Sequence, residues 1–297
     1  MIVKNVIQMR KFVIKTGQIV RIISNLYTVK VDNTYIDARA RGVFRNKNLT
    51  PLVGDFVDID IDKKVILDIK NRISMINRPM GANIIEGLIV TSLKDPDLSL
   101  SLLDKQISYL IINNIKPVIV LTKKDLVDID ELKDIEEIFK YYDSIGIPVF
   151  YNTQLDRLKG FLEGKLTCVT GQTGAGKSTL INKLGSLNIK TDEISKALGR
   201  GKHTTRHVEI YEIDKIKIMD TPGFSALDLN GITKEQLRDS FIEFKKYYYC
   251  RFKDCMHNKE IDCGVKMAVG KEILPSRYEN YIKLLGELNE SSSLFFK

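Results

Sequence analysis

Gly171-Gln172-Thr173-Gly174-Ala175-Gly176-Lys177-Ser178 is the stretch of this chain that decides its fold. It follows an apolar run at 166–170 and precedes a helical pattern carried by Leu180, Ile181 and Leu184. Strand, glycine-rich turn and helix in this order form the context that a phosphate-binding P-loop requires. The glycines allow backbone N–H groups to curl around a phosphate, and the helix N-terminus adds partial positive charge. The sequence therefore predicts a nucleoside triphosphate site.

The chemistry of such a loop predicts a role for each polar residue. Lys177 is expected to reach the β- and γ-phosphates, and the Ser178 hydroxyl is expected to bind Mg²⁺. A chance glycine-rich turn is the alternative, and the flanking strand and helix argue against it. The predicted nucleotide contacts of this segment are Gly171, Gln172, Thr173, Gly174, Ala175, Gly176, Lys177, Ser178 and Thr179.

Length and composition describe an ordinary globular protein of about two domains, or three small ones. The chain has 297 residues, of which 43% are hydrophobic and 28% are charged. It has no run of about 18 apolar residues and no apolar segment of a secretory signal, so we expect no membrane span and a cytoplasmic location. The formal charge of +8 favours a polyanionic partner, and nucleic acid more readily than lipid.

The N-terminal region has the pattern of a small β-barrel. Segments 18–22, 27–31 and 53–59 alternate apolar and polar residues, and short strands at this spacing indicate an OB-like fold. Between strands lies a basic stretch that contains Phe44. It is either an RNA-contacting surface on which Phe44 stacks against a base or a solvated hairpin with Phe44 in the core. The predicted RNA contacts of this stretch are Arg39, Arg41, Arg45 and Lys47.

After a break near residue 80 the pattern changes to alternating strands and helices. Segments 84–90, 117–121 and 148–151 are typical of buried parallel strands, with helical spacing between them. This alternation predicts a doubly wound sheet that the P-loop unit continues. We predict three domains: a barrel at 1–78 with an N-terminal extension to which we assign no function, an α/β domain at 79–230 and a C-terminal module at 231–297.

The base loop, Thr122-Lys123-Lys124-Asp125, follows one of the predicted parallel strands. Ligands of open parallel sheets bind at the carboxyl ends of the strands. Asp125 can accept hydrogen bonds from both N1–H and the exocyclic amine of guanine, a donor pair that adenine lacks, and the stem of Lys123 can pack over the base. An ordinary charged turn is the alternative, and the neighbouring P-loop favours guanine. Thr122 stands where guanine-specific loops carry Asn, which predicts a weaker hydrogen bond to the next loop.

Two further segments belong to a nucleotide site. Asp220-Thr221-Pro222-Gly223 follows a predicted strand; Asp220 can hold Mg²⁺ and the Gly223 N–H can contact the γ-phosphate. Phe224 follows, where many GTPases carry a water-orienting Gln. The polar segment 199–206 is placed as a switch loop: Thr204 or Thr205 would complete the Mg²⁺ shell. His203 in the same segment is either a water-orienting group or an exposed histidine.

The order of these motifs is unusual. The base loop comes before the P-loop, the switch segment and Asp220, whereas in common GTPases the base motif comes last. A compact domain with neighbouring termini tolerates such a circular permutation. The chain after residue 223 then runs outward, through the capping box of Thr233 and Gln236, into a predicted amphipathic helix.

The C-terminal module contains Cys250-x4-Cys255-x-His257-x5-Cys263. Three thiolates and one imidazole close a tetrahedral zinc site with no open position for a catalytic water. The alternative is a set of buried, reduced cysteines beside an incidental histidine. Basic residues interleaved with aromatics around this pattern are typical of RNA contacts. The predicted contacts are Lys245, Lys246, Arg251 and Lys253.

With these motifs in place, the chain resembles the bacterial ribosome small-subunit-dependent GTPase A family from about Gly17 to Leu285. The resemblance is carried by the permuted motif order, by Gly-Arg-Gly-x-His-Thr-Thr at 199–205, by Asp-Thr-Pro-Gly at 220–223 and by the Cys and His pattern at 250–263. The sequence departs from the family at Thr122 and at 152–153, where a Ser-Ala type loop behind the base is expected.

The resemblance implies an OB domain, a permuted GTPase and a zinc module. It implies GTP hydrolysis that the small ribosomal subunit stimulates during late maturation. It also implies that His203 takes part in hydrolysis and that both flanking modules contact ribosomal RNA. The implied cofactors are GTP or GDP, Mg²⁺ and one structural Zn²⁺, and a monomer is expected. Two other functions remain open: an RNA-binding assembly factor that uses GTP only as a switch, and a P-loop kinase of small molecules, which neither the base loop nor the permutation serves.

Overall fold

The computed structural model of the chain describes residues 13–42, 44, 49–77, 80–185, 208–220, 229 and 231–294. Its first five strands close into a barrel with the pairing order β1-β2-β3-β5-β4-β1. All pairs are antiparallel except β3 with β5. The strands are β1 (Ile14–Ile23), β2 (Leu26–Val31), β3 (Thr34–Ala40), β4 (Phe56–Asp60) and β5 (Val65–Ile69).

Alternation along these strands fills the barrel, since successive side chains of a strand point to opposite faces. Ile19, Val29, Val57 and Ile66 are buried in its core together with Phe44. The structure differs from the sequence prediction in two respects. Arg39 lies within β3 rather than between strands, and Phe44 is only 4% exposed, so the interpretation of Phe44 as a base-stacking residue is wrong.

A short hairpin connects the barrel to the rest of the chain. It consists of β6 (Met75–Asn77) and β7 (Met80–Ala82), where the sequence predicted only a break. Asn83 fastens it: its Nδ2 donates to the Gly54 carbonyl at 3.0 Å, and its Oδ1 accepts from the Ile73 N–H at 3.0 Å. Gly54 is required here because a Cβ atom at this position would lie 1.9 Å from the Ala82 carbonyl oxygen.

The central domain is a doubly wound sheet with the strand order β10-β9-β8-β11-β13-β12. All its strands are parallel except β12, which is antiparallel to β13. The P-loop strand β11 lies in the middle. The strands are β8 (Glu86–Ser92), β9 (Lys116–Thr122), β10 (Val149–Tyr151), β11 (Leu166–Gly171), β12 (Glu209–Ile213) and β13 (Ile216–Asp220).

Helices cover both faces of this sheet. The side chains of α1 (Leu100–Ile112) and α2 (Ile129–Ser144) pack with Ile89 and Ile119 on one face. Those of α3 (Leu155–Leu162) and α4 (Lys177–Leu184) pack with Leu88, Val90 and Val118 on the other. The near-continuous apolar strands follow from this, because parallel strands are buried on both faces.

The barrel and the central sheet share one hydrogen-bonded ladder. Strand β1 pairs antiparallel with β12, where Arg21 lies opposite Glu209. Two ion pairs accompany it: Arg21 Nη1 lies 3.7 Å from Glu209 Oε1, and the Lys30 ammonium contacts Glu212. The eleven strands therefore form a single sheet from β10 to β4.

The C-terminal module is helical. It contains α5 (Lys234–Ser240), a 3₁₀ helix (Ile242–Tyr247), α6 (Gly264–Ala268) and α7 (Pro275–Leu294). The predicted capping box of Thr233 and Gln236 begins α5. The continuous amphipathic helix predicted to follow is interrupted at Phe241, whose buried ring packs 5.2 Å from that of Phe244 and 5.1 Å from that of Tyr281. Over the described residues, no helix is long and apolar enough to cross a membrane.

Candidate nucleotide site and metal centre

The P-loop has the backbone of a phosphate cradle. Gly171, Gly174 and Gly176 have φ values of +134°, +83° and +92°, a region that favours glycine. At Gly171 the approach is also close, because a Cβ atom would lie 2.1 Å from the Val90 carbonyl oxygen on the neighbouring strand β8. The loop leads directly into α4, so its backbone N–H groups and the helix start meet at one place. This arrangement fits a phosphate group.

Lys177 is anchored within this loop. Its ammonium donates to the Gly171 carbonyl at 2.7 Å and to the Gln172 carbonyl at 2.6 Å. The side chain is half-buried, and burial lowers the pKa of its ammonium. Ser178 follows in the first turn of α4. Both predicted polar residues of the P-loop therefore lie at the carboxyl end of β11, the central strand of the sheet.

The base loop lies against the P-loop at the same sheet edge. Thr122, the last residue of β9, is 2% exposed. Its Oγ1 donates to the Ala175 carbonyl of the P-loop at 2.7 Å and lies 3.4 Å from the Thr91 carbonyl. The sequence predicted a weakened bond between the two loops where Thr replaces Asn. The structure has a direct, buried bond there, made by the shorter side chain.

The other three residues of the base loop differ in their surroundings. Lys123 has a left-handed backbone (φ 57°) and its ammonium contacts the Asp95 carbonyl. Lys124 pairs with Glu136 at 2.7 Å and lies 4.6 Å from the centre of the Tyr151 ring. Asp125 is exposed on a 3₁₀ turn (Lys124–Leu126) and makes no side-chain hydrogen bond to another described residue. Its carboxylate is thus available to a ligand.

Residues 152–153, which lack the Ser-Ala type sequence expected of the loop behind the base, lie at the same edge of the sheet as the base loop. The Asn152 N–H donates to the Leu121 carbonyl at 2.9 Å, one residue before Thr122. Strand β10, which precedes this turn, runs parallel to β9. The geometry therefore brings the 152–153 turn beside the base loop.

The remaining nucleotide predictions concern the second half of the site. Asp220 is the last residue of β13, which pairs in parallel with β11, so its backbone ends at the same sheet edge as the P-loop. Four predicted residues lie outside the described part of the chain: His203, Thr204, Thr205 and Gly223.

The predicted zinc ligands converge in the C-terminal module. The ligand atoms of Cys250, Cys255, His257 and Cys263 all lie within 4.8 Å of one another. Cys250 Sγ is 3.8 Å from Cys263 Sγ, and His257 Nδ1 is 3.3 Å from Cys263 Sγ and 3.6 Å from Cys250 Sγ. A tetrahedron with zinc–sulfur bonds of about 2.3 Å has sulfur–sulfur edges of about 3.8 Å. The donor set fits zinc in chemistry and in size.

Groups around this cluster hold its loop in place. The Glu260 carboxylate accepts from the N–H groups of Met256 at 2.7 Å and Asn258 at 2.8 Å. From α7, the Tyr281 hydroxyl donates to the Met256 carbonyl at 2.5 Å and the Tyr278 hydroxyl to that of His257 at 2.7 Å. Burial lowers the pKa of His257 to about 4, so at neutral pH the imidazole is uncharged, the form that binds a metal.

The basic residues predicted for RNA are on the surface wherever the structure describes them. Arg39 and Arg41 are exposed and line a groove of about 910 Å³ at one end of the barrel. Arg45 and Lys47 lie outside the described residues. In the C-terminal module, the exposed cations stand beside exposed aromatic side chains, Tyr249 and Phe252 among them. These cations are Lys245, Lys246, Arg251 and Lys253.

Sequence reasoning predicted a hydrogen bond from Thr122 to another loop without identifying its acceptor, and it gave Arg277 no role. The acceptor of Thr122, the Ala175 carbonyl, has no local signal, because the two residues are 53 positions apart in the chain. Arg277, which is completely buried, had one: it precedes Tyr281 by four residues and so shares its helix face.

Comparisons with known proteins agree with this geometry. The model of the RsgA GTPase family matches residues 64–230, and that of the RsgA N-terminal domain matches 16–65. The small ribosomal subunit biogenesis GTPase RsgA 2 of Oceanobacillus iheyensis is 42% identical over 283 residues, which are 92% of this chain and 97% of that protein. The small ribosomal subunit biogenesis GTPase RsgA of Latilactobacillus sakei is 39% identical over 95% of this chain and 99% of that protein.

Two solved structures share the architecture. YjeQ from Thermotoga maritima superposes with a TM-score of 0.81 at 33% identity, over 93% of this chain and 98% of that one. YloQ, described as a circularly permuted GTPase, superposes with a TM-score of 0.81 at 30% identity, over 94% and 96%. A base loop that precedes its P-loop in the chain yet adjoins it in space is what a permuted GTPase requires, and with these matches the chain belongs to the RsgA family of circularly permuted GTPases.

Proposed function

We propose that this GTPase acts in the cytoplasm in the late maturation of the small ribosomal subunit, and that the subunit stimulates its hydrolysis of GTP. The observation that carries the proposal is the bonded pair of loops at one sheet edge: a phosphate cradle and a loop with a free carboxylate, joined through Thr122 and Ala175. The relatives' printed names supply the subunit.

In this proposal the nucleotide is held at both ends. The P-loop amides and Lys177 bind the phosphates, and the exposed Asp125 carboxylate selects guanine. Lys123, Lys124 and the 152–153 turn line the base. Mg²⁺, which neutralises charge on the phosphates, is held by Ser178, Asp220 and a threonine of the switch segment, Thr204 or Thr205, while Gly223 contacts the γ-phosphate.

Hydrolysis requires an oriented water. We assign that role to His203, because Phe224 stands where a Gln would orient the water in many GTPases. Lys177 stabilises charge on the transferred phosphoryl group. With Phe224 in place of that Gln, turnover without the subunit is expected to be slow.

The C-terminal module holds one structural Zn²⁺ in this proposal, bound by Cys250, Cys255, His257 and Cys263. Four protein ligands leave no position for a reacting water, so the metal would stabilise the module and take no part in hydrolysis. Together with the barrel at 1–78, the module at 231–297 would contact ribosomal RNA on either side of the GTPase domain at 79–230. The exposed cations support this: they attract phosphates, and the neighbouring aromatics can stack on bases.

The test is GTP turnover by the purified monomer, alone and with purified small subunits, with ATP as the control nucleotide. Slow turnover alone, a large stimulation by subunits and no ATP hydrolysis support the proposal. Loss of stimulation in His203→Ala with GTP binding intact assigns that residue. A turnover rate that subunits do not change would contradict the proposal that the small subunit is the partner. Normal subunit maturation by a variant that binds GTP without hydrolysing it would favour an assembly factor that uses GTP only as a switch.

A further inference from the structure

A buried ion cluster joins the C-terminal module to the central domain. Arg277 of α7 is 0% exposed, and its guanidinium lies between two buried carboxylates. Its Nη1 donates to Asp104 Oδ1 of α1 at 2.7 Å. Its Nε and Nη2 donate to the two oxygens of Glu243, in the 3₁₀ helix, at 2.8 and 3.0 Å. We call these three residues the Arg277 cluster.

Every charge in the cluster is satisfied by directed bonds. Asp104 also accepts from the Tyr142 hydroxyl and from Asn280 Nδ2, each at 2.7 Å. The guanidinium lies 4.3 Å from the centre of the Phe241 ring. A bidentate pair and a carboxylate with three donors fix distance and direction together. The cluster therefore locks α1, α2, α7 and the 3₁₀ helix into one arrangement.

Two residues after Asp104, helix α1 contacts the P-loop strand. Gln106, which is 2% exposed, donates from Nε2 to the Thr170 hydroxyl at 3.4 Å. Thr170 directly precedes Gly171, whose carbonyl binds Lys177. Helix α1 also lies very close to the sheet, since a Cβ atom at Gly87 of β8 would be 2.6 Å from the Leu110 side chain. A displacement of α1 is thus passed to the strands that carry the nucleotide loops.

We propose that the Arg277 cluster couples the C-terminal module to the P-loop, so that a subunit bound to that module acts on hydrolysis through α1 and Gln106. Arg277 is then a positioning residue for stimulated turnover, remote from the reacting atoms. This inference rests on the proposed function for the identity of the partner alone. The coupling itself is intramolecular. By thermodynamic linkage, the free energy by which the module's conformation changes nucleotide binding equals the free energy by which the bound nucleotide changes the module's conformation.

The first test needs no subunit. Hydrogen exchange of the 3₁₀ helix (Ile242–Tyr247) is measured with GDP and with a non-hydrolysable GTP analogue. We expect its exchange rates to differ at least threefold between the two nucleotides in the wild type and to be equal in the triple variant Asp104→Asn, Glu243→Gln, Arg277→Met. The triple change removes all three charges together, because deleting one partner alone would leave a buried charge unpaired and unfold the module.

The control variant breaks a different contact between the same two helices. Lys105 of α1 pairs with Glu287 of α7 at 3.0 Å in a partly exposed position. Lys105→Met should leave the exchange difference unchanged. Equal exchange with both nucleotides in the wild type, or a difference that survives in the triple variant, would overturn the coupling.

The second test measures turnover with saturating small subunits. The triple variant should lose at least tenfold in stimulated kcat, while its unstimulated rate, GTP affinity and KM for subunits stay within twofold of the wild type. Lys105→Met should match the wild type. A fall in subunit binding with unchanged kcat would make the cluster structural only. If the wild type is not stimulated at all, the proposed partner is wrong, and the exchange experiment still decides the coupling.

Discussion

Replacing Gly171 by Ala tests whether the P-loop depends on the close approach of two strand ends. Gly171 has a φ of +134°, and a Cβ atom there would stand 2.1 Å from the Val90 carbonyl oxygen, although real Cβ contacts are almost never shorter than 3.0 Å. The obstacle is backbone of β8, so no side-chain rotation relieves it. The ends of β8 and β11 must separate, or Gly171 must change its conformation.

Both routes disturb nucleotide binding by a calculable amount. Holding a non-glycine residue in a sparsely populated backbone region costs about 1–3 kcal/mol, and about 1.4 kcal/mol corresponds to a tenfold change in affinity. Separation of the strand ends by roughly 1 Å moves the carbonyl that anchors Lys177, and a misplacement of that size can cost about a hundredfold in rate. We expect GTP affinity to fall at least tenfold and unstimulated turnover about a hundredfold.

The assay is equilibrium binding of a fluorescent, non-hydrolysable GTP analogue, followed by single-turnover hydrolysis of GTP. Gly160→Ala is the matched control: Gly160 lies in α3, a Cβ atom there meets nothing within 4 Å, and Ala in a helix interior is better than Gly by about 1 kcal/mol. Affinity of Gly171→Ala within threefold of the wild type would refute the reasoning, because the strand ends would then have room that the structure denies them.

Three further predictions concern other parts of the two sites. Thr122→Val should lower GTP affinity about tenfold in a binding titration, since an unpaired buried carbonyl costs about 1–3 kcal/mol; Thr122→Ser, which keeps the hydroxyl, should bind normally, and equal losses in both would contradict the role of the bond. Asp125→Ala should reduce the preference for GTP over ATP in competition binding without lowering the affinity for ATP. An unchanged preference would show that another residue selects guanine. Glu260→Ala should lower the zinc affinity about 10–100-fold in competition with a chromophoric chelator, because hydrogen-bonding groups around a metal site orient its ligands. Lys259→Ala serves as the control. Equal zinc affinities of the two variants would show that the loop is held without Glu260.

Much of the fold was predictable because its signals are local. Buried parallel strands have continuous apolar runs, and the P-loop has a fixed order of strand, glycine-rich turn and helix. The helix break at Phe241 was not, because aromatic packing against Tyr281 overrides a helical pattern that continues through it. The β6–β7 hairpin also escaped prediction, since its two strands have three residues each and are held by Asn83 from outside.

The candidate sites divide in the same way. Cysteine spacing sufficed to find the four side chains of the C-terminal Cys₃His cluster, because a short loop forces them together. Whether Thr122 could replace Asn depended on how near the P-loop lies, a distance set by the packing of β8 between β9 and β11. Asp104 and Arg277 are 173 positions apart, and no period in the sequence connects them.

The shared ladder between β1 and β12 bears on how this protein can be divided. Cutting the chain after the barrel would turn β12 into an outer strand of the remaining sheet, with a row of unpaired backbone groups that can recruit another chain. Glu209 would then lose Arg21 and Glu212 would lose Lys30, while Lys217 of β13 would stay 3.8 Å from Glu212. Acidic side chains on an outer strand oppose pairing with the same strand of a second copy, so a truncated GTPase domain should stay dispersed at neutral pH.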